Sequence, residues 1–256
     1  MKLPKVVFKV MPIEKNIGFI QWGYFESTDV LSVHDYTIKL FPELANIDNS
    51  LSEEEINKQI EEVVEKEYLK KEKLLQERAD KYNQLWAPYN DQYLEALSNF
   101  FGIVWPSDLE EIEATVGILP VYPRHLDTCS FSIGTGVTDL RLINVCAHEI
   151  LHFIWFRKLQ QMHPEIPRRE YDSPYFPWQY SEMVTDPILN NPPFDTMFEF
   201  KEIGYNSFYK MEYNGEKVMD VLRNIYAEEI PIEEKIDKGY AYISEALGKD
   251  NKQYKK

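Results

Sequence analysis

The chain has 256 residues, 44% of them hydrophobic, and a formal net charge of −15 at pH 7. This composition is typical of a globular protein with a sizeable core and excludes a disordered chain. The negative charge argues against nucleic-acid binding, which needs cations to neutralise phosphates. We expect no membrane span or secretory signal, since no apolar run is long enough. Two cysteines do not make a disulfide framework, so a cytoplasmic protein is expected.

The first hundred residues predict short strands followed by long charged helices. The runs KVVFKV, GFIQWGYF and DYTIKLF, within residues 5–40, are rich in β-branched and aromatic residues, as strands are. Ser52 and the three glutamates after it predict a helix start, and apolar residues near helical spacing predict one long helix or two over 51–86. A further helix should end at Gly102 and Pro106. We expect an N-terminal region over 1–106.

Residues 107–256 predict a second domain that contains both strands and helices. The segment 107–119 predicts a short helix leading into a strand, and CSFSIG alternates apolar and polar residues like a half-buried strand. Thr138 or Asp139 is a credible cap for a helix over about 140–160. The expected fold class is therefore α+β.

The run VCAHEILHFIW, residues 145–155, places two histidines and a glutamate in an otherwise apolar helix. His148 and His152 are four residues apart, so they share one helical face and could take two corners of a zinc site. Glu149 is turned away from that position and could accept a proton from a metal-bound water. A metal would compensate the cost of burying these polar groups, about 2–7 kcal/mol for a neutral group without a partner.

The segment SEMVTD, residues 181–186, offers a third ligand. Glu182 and Asp186 are also four residues apart; Glu182 could supply a carboxylate oxygen, and Asp186 could accept the outer N–H of a ligating histidine. The competing interpretation is a solvent-facing pair on a short helix that ends at Pro187. Other candidates for the third ligand are His163 and, further along the chain, Glu170 and Asp172.

With HEILH and SEMVTD, the chain resembles the gluzincin zinc metallopeptidases, the thermolysin-like group, over about residues 118–190. The resemblance implies a zincin-like core: a mixed sheet with an edge strand, an active-site helix and a glutamate helix. It implies Zn²⁺ bound by His148, His152 and Glu182, with Glu149 as general base and Asp186 behind a ligand. It also implies that CSFSIG is an antiparallel edge strand along which a peptide or protein substrate pairs. The metzincin pattern fails, because positions 155 and 158 are Trp and Lys.

The residues between the two motifs depart from the family in length. Thirty residues separate His152 from Glu182, and their proline and aromatic content predicts a structured loop over part of the cleft. In that loop Tyr175, ahead of Tyr171 and Tyr180, is our first candidate for the donor that stabilises the oxyanion.

Two other functions stay open at the level of the sequence. The chain could be a non-catalytic interaction or regulatory protein with a structural or vestigial zinc, whose working surface is the long helix of 51–86. Alternatively, the N-terminal half could restrain the cleft of a peptidase. Substrate identity, oligomeric state and any latency cannot be read from the residues.

Overall fold

The computed structural model describes residues 2–26 and 32–247, which form an α+β fold. The helices are α1 (Ile13–Phe25), α2 (Val33–Leu40), α3 (Glu53–Trp86), α4 (Asn90–Phe101), α5 (Asp139–Met162), α6 (Phe176–Leu189), α7 (Asn206–Lys210), α8 (Val218–Ala227) and α9 (Ile232–Ala246). The strands are β1 (Lys5–Val10), β2 (Glu111–Gly117), β3 (Arg124–His125), β4 (Ser130–Gly134), β5 (Glu212–Tyr213) and β6 (Glu216–Lys217). None of the helices within these described residues has both the length and the apolar character needed to cross a membrane.

The chain divides into two compact units. The first, called the sheet unit below, comprises Pro4–Asn90 and Asp108–Leu142. The second, the helical unit, comprises residues 2–3, Asp91–Ser107 and residues 143–247 of the described chain. Both units draw on segments from both sides of residue 106, and the domain boundary expected there stays a prediction.

The main sheet has the strand order β1-β2-β4-β3. β1 pairs parallel with β2 over six residue pairs, so a strand from the first ten residues is built into a sheet with strands beyond residue 110. β4 is parallel to β2 and carries the short antiparallel β3 on its other side. The expectation that CSFSIG is an antiparallel edge strand is therefore wrong, since the edge position belongs to β3. Nor is β4 half-buried: Ser132 is buried and shares a hydrogen bond of 2.7 Å with Thr115.

Two segments expected to be strands are helices. GFIQWGYF lies in α1, where the buried Asn16, Ile20 and Tyr24 recur every four residues along one helical face. DYTIKLF lies in α2 except for Phe41, which is the C-cap. The Ser32 hydroxyl caps the first turn of this helix by accepting from the Asp35 amide. Aromatic and β-branched content was the misleading signal, because these residues also fill the buried side of a helix. The short helix expected after residue 107 is likewise absent from the described chain, although the strand that was to follow it is present as β2.

The long charged helix is confirmed as the single helix α3. Ser52 and Glu55 form a capping box at its N-terminus, in which each side chain bonds to the backbone of the other residue. Farther along, Asn83 clamps β1 by accepting from the Phe8 amide at 2.9 Å and donating to the Phe8 carbonyl at 2.9 Å. These contacts fix the helix to the sheet within the sheet unit.

In the helical unit, aromatic side chains hold the helices together. The Tyr93 hydroxyl of α4 donates to the Ala147 carbonyl of α5 at 2.6 Å, one residue before His148. Trp155 of α5 meets Tyr180 of α6 edge-to-face, with ring centroids 5.5 Å apart. α4 ends as expected at Gly102, whose φ of +62° a side chain would disfavour.

Candidate metal centre

Two imidazole nitrogens and the carboxylate of Glu182 converge between α5 and α6. His148 Nε2 lies 3.0 Å from His152 Nε2 and 3.3 Å from Glu182 Oε2. His152 Nε2 lies 3.5 Å from Glu182 Oε1. Among the described residues, these three side chains form the group of histidines and carboxylates able to hold a metal ion.

The spacing of the donors fits zinc. Ligand atoms about 2.0–2.1 Å from a tetrahedral zinc lie about 3.3 Å from one another. The two ring nitrogens lie 3.0 Å apart, and they lie 3.3 and 3.5 Å from the two different oxygens of Glu182, so each separation is close to that value. Two imidazoles and one carboxylate are also a donor set that zinc accepts. The residues present therefore fit a zinc ion with little rearrangement.

The helix α5 positions the two histidines as the sequence predicts. It runs from Asp139 to Met162, and the Thr138 hydroxyl caps it by accepting from the Arg141 amide at 3.2 Å. His152 is fully buried, whereas the side chain of His148 is 18% exposed. One side of the donor cluster is therefore closed by protein, and the other opens toward solvent at His148.

The helix α6 brings Glu182 into the cluster. Glu182 is 4% exposed and Asp186 is 1% exposed, so the interpretation as a solvent-facing pair is wrong. The helix also continues past Pro187 to Leu189. Pro187 itself has no N–H to donate within the helix, and the end of α6 is closed by the Asn190 amide, which donates to the Asp186 carbonyl.

Glu202, which the sequence did not single out, contacts the outer nitrogen of His148. Its Oε1 lies 2.9 Å from His148 Nδ1, and its Oε2 accepts a hydrogen bond from the Asn144 amide group. Glu202 lies in the irregular segment between α6 and α7, twenty residues beyond Glu182. No periodicity or motif marks an isolated glutamate in such a segment. Because Glu202 is distant from both motifs in the sequence, only the fold shows that it lies against the site.

Asp186 does not contact the histidines through any bond described for it and instead binds an arginine and a tyrosine. It accepts from Arg223 through both carboxylate oxygens, at 3.1 and 2.7 Å, and from the Tyr209 hydroxyl at 2.6 Å. Asn190 donates to it as well, at 3.1 Å. The expectation that Asp186 supports a ligating histidine is therefore replaced by a role in joining α6 to α7 and α8.

Glu149, the expected general base, lies next to His148 on α5 and is 7% exposed. Its neighbours Ile150 and Leu151 are buried in the core, which fixes this turn of the helix. The role of Glu149 as general base stays a prediction.

The three tyrosines expected to supply an oxyanion donor differ in their surroundings. Tyr180 is committed to the core: its hydroxyl lies 3.0 Å from both the Tyr226 hydroxyl and the Ile236 carbonyl, and burial raises its pKa well above the usual range. Tyr171 is buried and stacks on Phe156. Tyr175, the first candidate, is half-buried at the N-cap of α6. Tyr180 is thereby removed from the list, while Tyr175 stays a prediction.

The fallback ligands lie in other contacts. His163 bonds to Glu165 and Asp237 and stacks on Tyr240. Asp172 pairs with Arg168 on the surface at 2.9 Å. Neither belongs to the group of donors around His148, and Glu170 is also outside it.

The carboxylates around His148 control its proton affinity. Burial alone would lower the pKa of the imidazole, but the negative charges of Glu202 and Glu182 outweigh burial and raise that pKa well above its usual value. A cation is therefore favoured at this position, and a divalent metal would satisfy the same carboxylates.

Comparisons of the chain with protein-family models, with curated proteins and with solved structures found no match. The resemblance to gluzincins therefore rests on the motif residues alone.

Proposed function

We propose that the chain is a zinc-dependent peptide hydrolase of the gluzincin type. The observation that supports this proposal is the convergence of His148 Nε2, His152 Nε2 and the Glu182 carboxylate, with the nitrogens 3.0 Å apart and each within 3.5 Å of one carboxylate oxygen. Glu149, beside the first ligand, supplies the acid–base group that hydrolysis needs. These are the residues that HEILH and SEMVTD predicted.

Each residue has a defined task in this proposal. His148, His152 and Glu182 hold the zinc, which when bound acts as a Lewis acid that acidifies a water ligand and polarises the scissile carbonyl. Glu149 accepts the proton of the attacking water and passes it to the leaving amine. Tyr175 is the proposed donor to the developing oxyanion.

The number of protein donors favours catalysis over a structural role for the metal. Structural zinc sites are usually closed by four protein ligands, whereas catalytic sites keep a position open. Within the described part of the chain the cluster contains three donors, and His148 borders solvent. A peptide or protein is the proposed substrate, and the cytoplasm, where the free Cys129 and Cys146 stay reduced, is the proposed location.

The proposal is tested by zinc content and peptide hydrolysis measured on the same preparations. We expect about one zinc per chain in the wild type by mass spectrometry, together with cleavage of a quenched fluorescent peptide library. Glu149→Gln should keep the zinc and lose about 10²–10⁴-fold in rate, since that is the usual contribution of a general base. Glu62→Gln, at an exposed position on α3, is the matched control and should behave like the wild type.

Three outcomes would contradict parts of the proposal. A wild type that takes up no zinc would remove the metal centre. Hydrolysis retained by Glu149→Gln would remove Glu149 as the base. A wild type that holds zinc but cleaves nothing in the library would favour the non-catalytic alternative, in which the zinc is structural.

A further inference from the structure

We propose that Glu202, and not the Asp186 of the SEMVTD motif, is the positioning residue that fixes the ring of His148 for metal binding. This inference rests on the proposed function, because it assigns the second layer of the same zinc site. It also predicts that the site depends on the segment after α6, which lies outside the region that resembles gluzincins.

The contact between Glu202 and His148 determines which ring nitrogen carries the proton. A carboxylate only accepts hydrogen bonds, so at 2.9 Å from Glu202 Oε1 the Nδ1 atom must be the donor. In the neutral ring the Nε2 atom is then left with its lone pair. That Nε2 is the atom that faces His152 and Glu182. Glu202 therefore selects the tautomer that presents Nε2 to a metal and increases its basicity.

Glu202 is itself held rigidly enough to position another side chain. Its backbone amide donates to Asn190 Oδ1 at 2.9 Å, and its carbonyl accepts from Asn190 Nδ2 at 2.9 Å. Its second carboxylate oxygen is bound by the Asn144 amide group, one turn before His148 on α5. With a side chain only 2% exposed, Glu202 has no room to turn away.

Asp186 is committed elsewhere and is not needed for this task. Its two oxygens receive four hydrogen bonds, from Arg223, Tyr209 and Asn190. The carboxylate that contacts the first ligand therefore comes from the segment after α6, and not from α6 itself as the motif implied. The Glu-x-x-x-Asp motif keeps its ligand, Glu182, while its aspartate joins helices.

The test is the zinc dissociation constant, measured by competition with a chromophoric chelator, in the wild type and three variants. Glu202→Ala should bind zinc about 10–100-fold more weakly, the usual cost of losing such a partner. Glu202→Gln should lose less, because its amide oxygen still accepts from Nδ1–H while the negative charge is gone. Asp186→Asn should lower the melting temperature, because Arg223 loses its buried partner and keeps only Asp220, but should bind zinc as the wild type does.

A spectroscopic readout separates positioning from loss of structure. Long-range ¹H–¹⁵N correlation spectra of the zinc-loaded wild type should assign the proton of His148 to Nδ1, and Glu202→Ala should shift that nitrogen while His163 keeps its signals. Circular dichroism confirms folding, and Glu202→Gln provides the answer if the alanine variant does not fold.

The outcomes distinguish this inference from the function on which it rests. If the wild type binds zinc and both Glu202 variants bind it equally well, Glu202 is not the positioning residue, whereas the proposed peptidase stands. If zinc affinity falls in Asp186→Asn instead, the motif aspartate holds the role. A wild type that binds no zinc overturns both proposals together.

Discussion

The two units bury different kinds of polar group. In the sheet unit the conspicuous buried or half-buried polar side chains are neutral amides, Asn16, Asn83 and Asn90, each bonded to backbone atoms of other segments. In the helical unit most of the conspicuous ones are ionisable, namely Glu149, His152, Lys158, Glu182, Asp186 and Glu202. Of these, His152 and Glu182 belong to the candidate metal site, and Glu202 contacts its His148.

The difference bears on where a functional site is expected. A buried amide whose donor and acceptor are both bonded contributes about 0.5–1.5 kcal/mol per hydrogen bond and carries no charge. A buried carboxylate costs several kcal/mol in desolvation and stays only where partners offset that cost. Arg223 offsets the charge of Asp186, whereas Glu182 and Glu202 lie against His148, where a bound metal would offset theirs. The helical unit is therefore where the function is expected.

The largest effect is expected from removing the carboxylate ligand. Glu182→Ala should weaken zinc binding by more than about 100-fold, because even the loss of an outer partner costs 10–100-fold. Chelator competition measures the affinity, and the exposed Glu62→Ala is the control. Full zinc affinity in Glu182→Ala would remove this residue from the ligand set. It would also contradict the assignment of the buried carboxylates of the helical unit to a metal site.

A smaller effect, on stability alone, is expected from an amide of the sheet unit. Asn16 is fully buried, accepts from the Ile118 amide at 2.8 Å and donates to the Ile118 carbonyl at 3.0 Å. Asn16→Ala leaves both backbone groups unbonded and should lower the free energy of unfolding by about 2–4 kcal/mol. Urea unfolding measures the change, with the exposed Lys15→Ala as control. If folded Asn16→Ala lost as much zinc affinity as Glu182→Ala, a purely structural role for this amide would be contradicted.

A somewhat smaller loss in the free energy of unfolding is expected when a methyl group is added at Gly239 of α9. A Cβ at this position would lie 2.3 Å from the Tyr180 hydroxyl, which Tyr226 and Ile236 hold in place. Gly239→Ala should cost about 1–3 kcal/mol through overpacking. In a Tyr180→Phe background the same change should cost less, because the obstructing oxygen is gone. Equal costs in both backgrounds would place the strain elsewhere.

The smallest expected effect is the pH dependence contributed by His163. Burial opposes its charge, but Asp237 and Glu165 outweigh burial and raise its pKa above the usual value. With a folded pKa above the unfolded value of about 6.5, the stabilisation is fully present below that pH and is lost as pH rises through the folded pKa. His163→Gln should lower the melting temperature at pH 5.5 by no more than about 2–4 °C, since an exposed pair contributes at most about 1 kcal/mol. The difference should vanish at pH 9, and a constant difference would exclude the charge as its cause.

The sequence predicted correctly those elements whose signal lies within one segment, and failed where the structure depends on distant segments. α3 and α5 were predicted because capping residues and apolar spacing are local and repeat over many turns. α1 and α2 were predicted as strands because composition outweighed spacing in short segments. The role of CSFSIG was wrong because its neighbours in the sheet, β2 and β3, cannot be inferred from its own residues.

Within the candidate site, the sequence by itself determined which side chains could bind a metal. His148 and His152 share a face because a helix repeats every 3.6 residues, and Glu182 follows from its own motif. Only the tertiary structure decided which residues contact these side chains and their neighbours: Glu202 contacts His148, and Arg223 pairs with Asp186. Helical geometry fixes which residues of one segment meet, but the partner of a buried charge comes from whichever distant segment packs against it. That choice depends on the packing of the entire unit and leaves no local pattern in the chain.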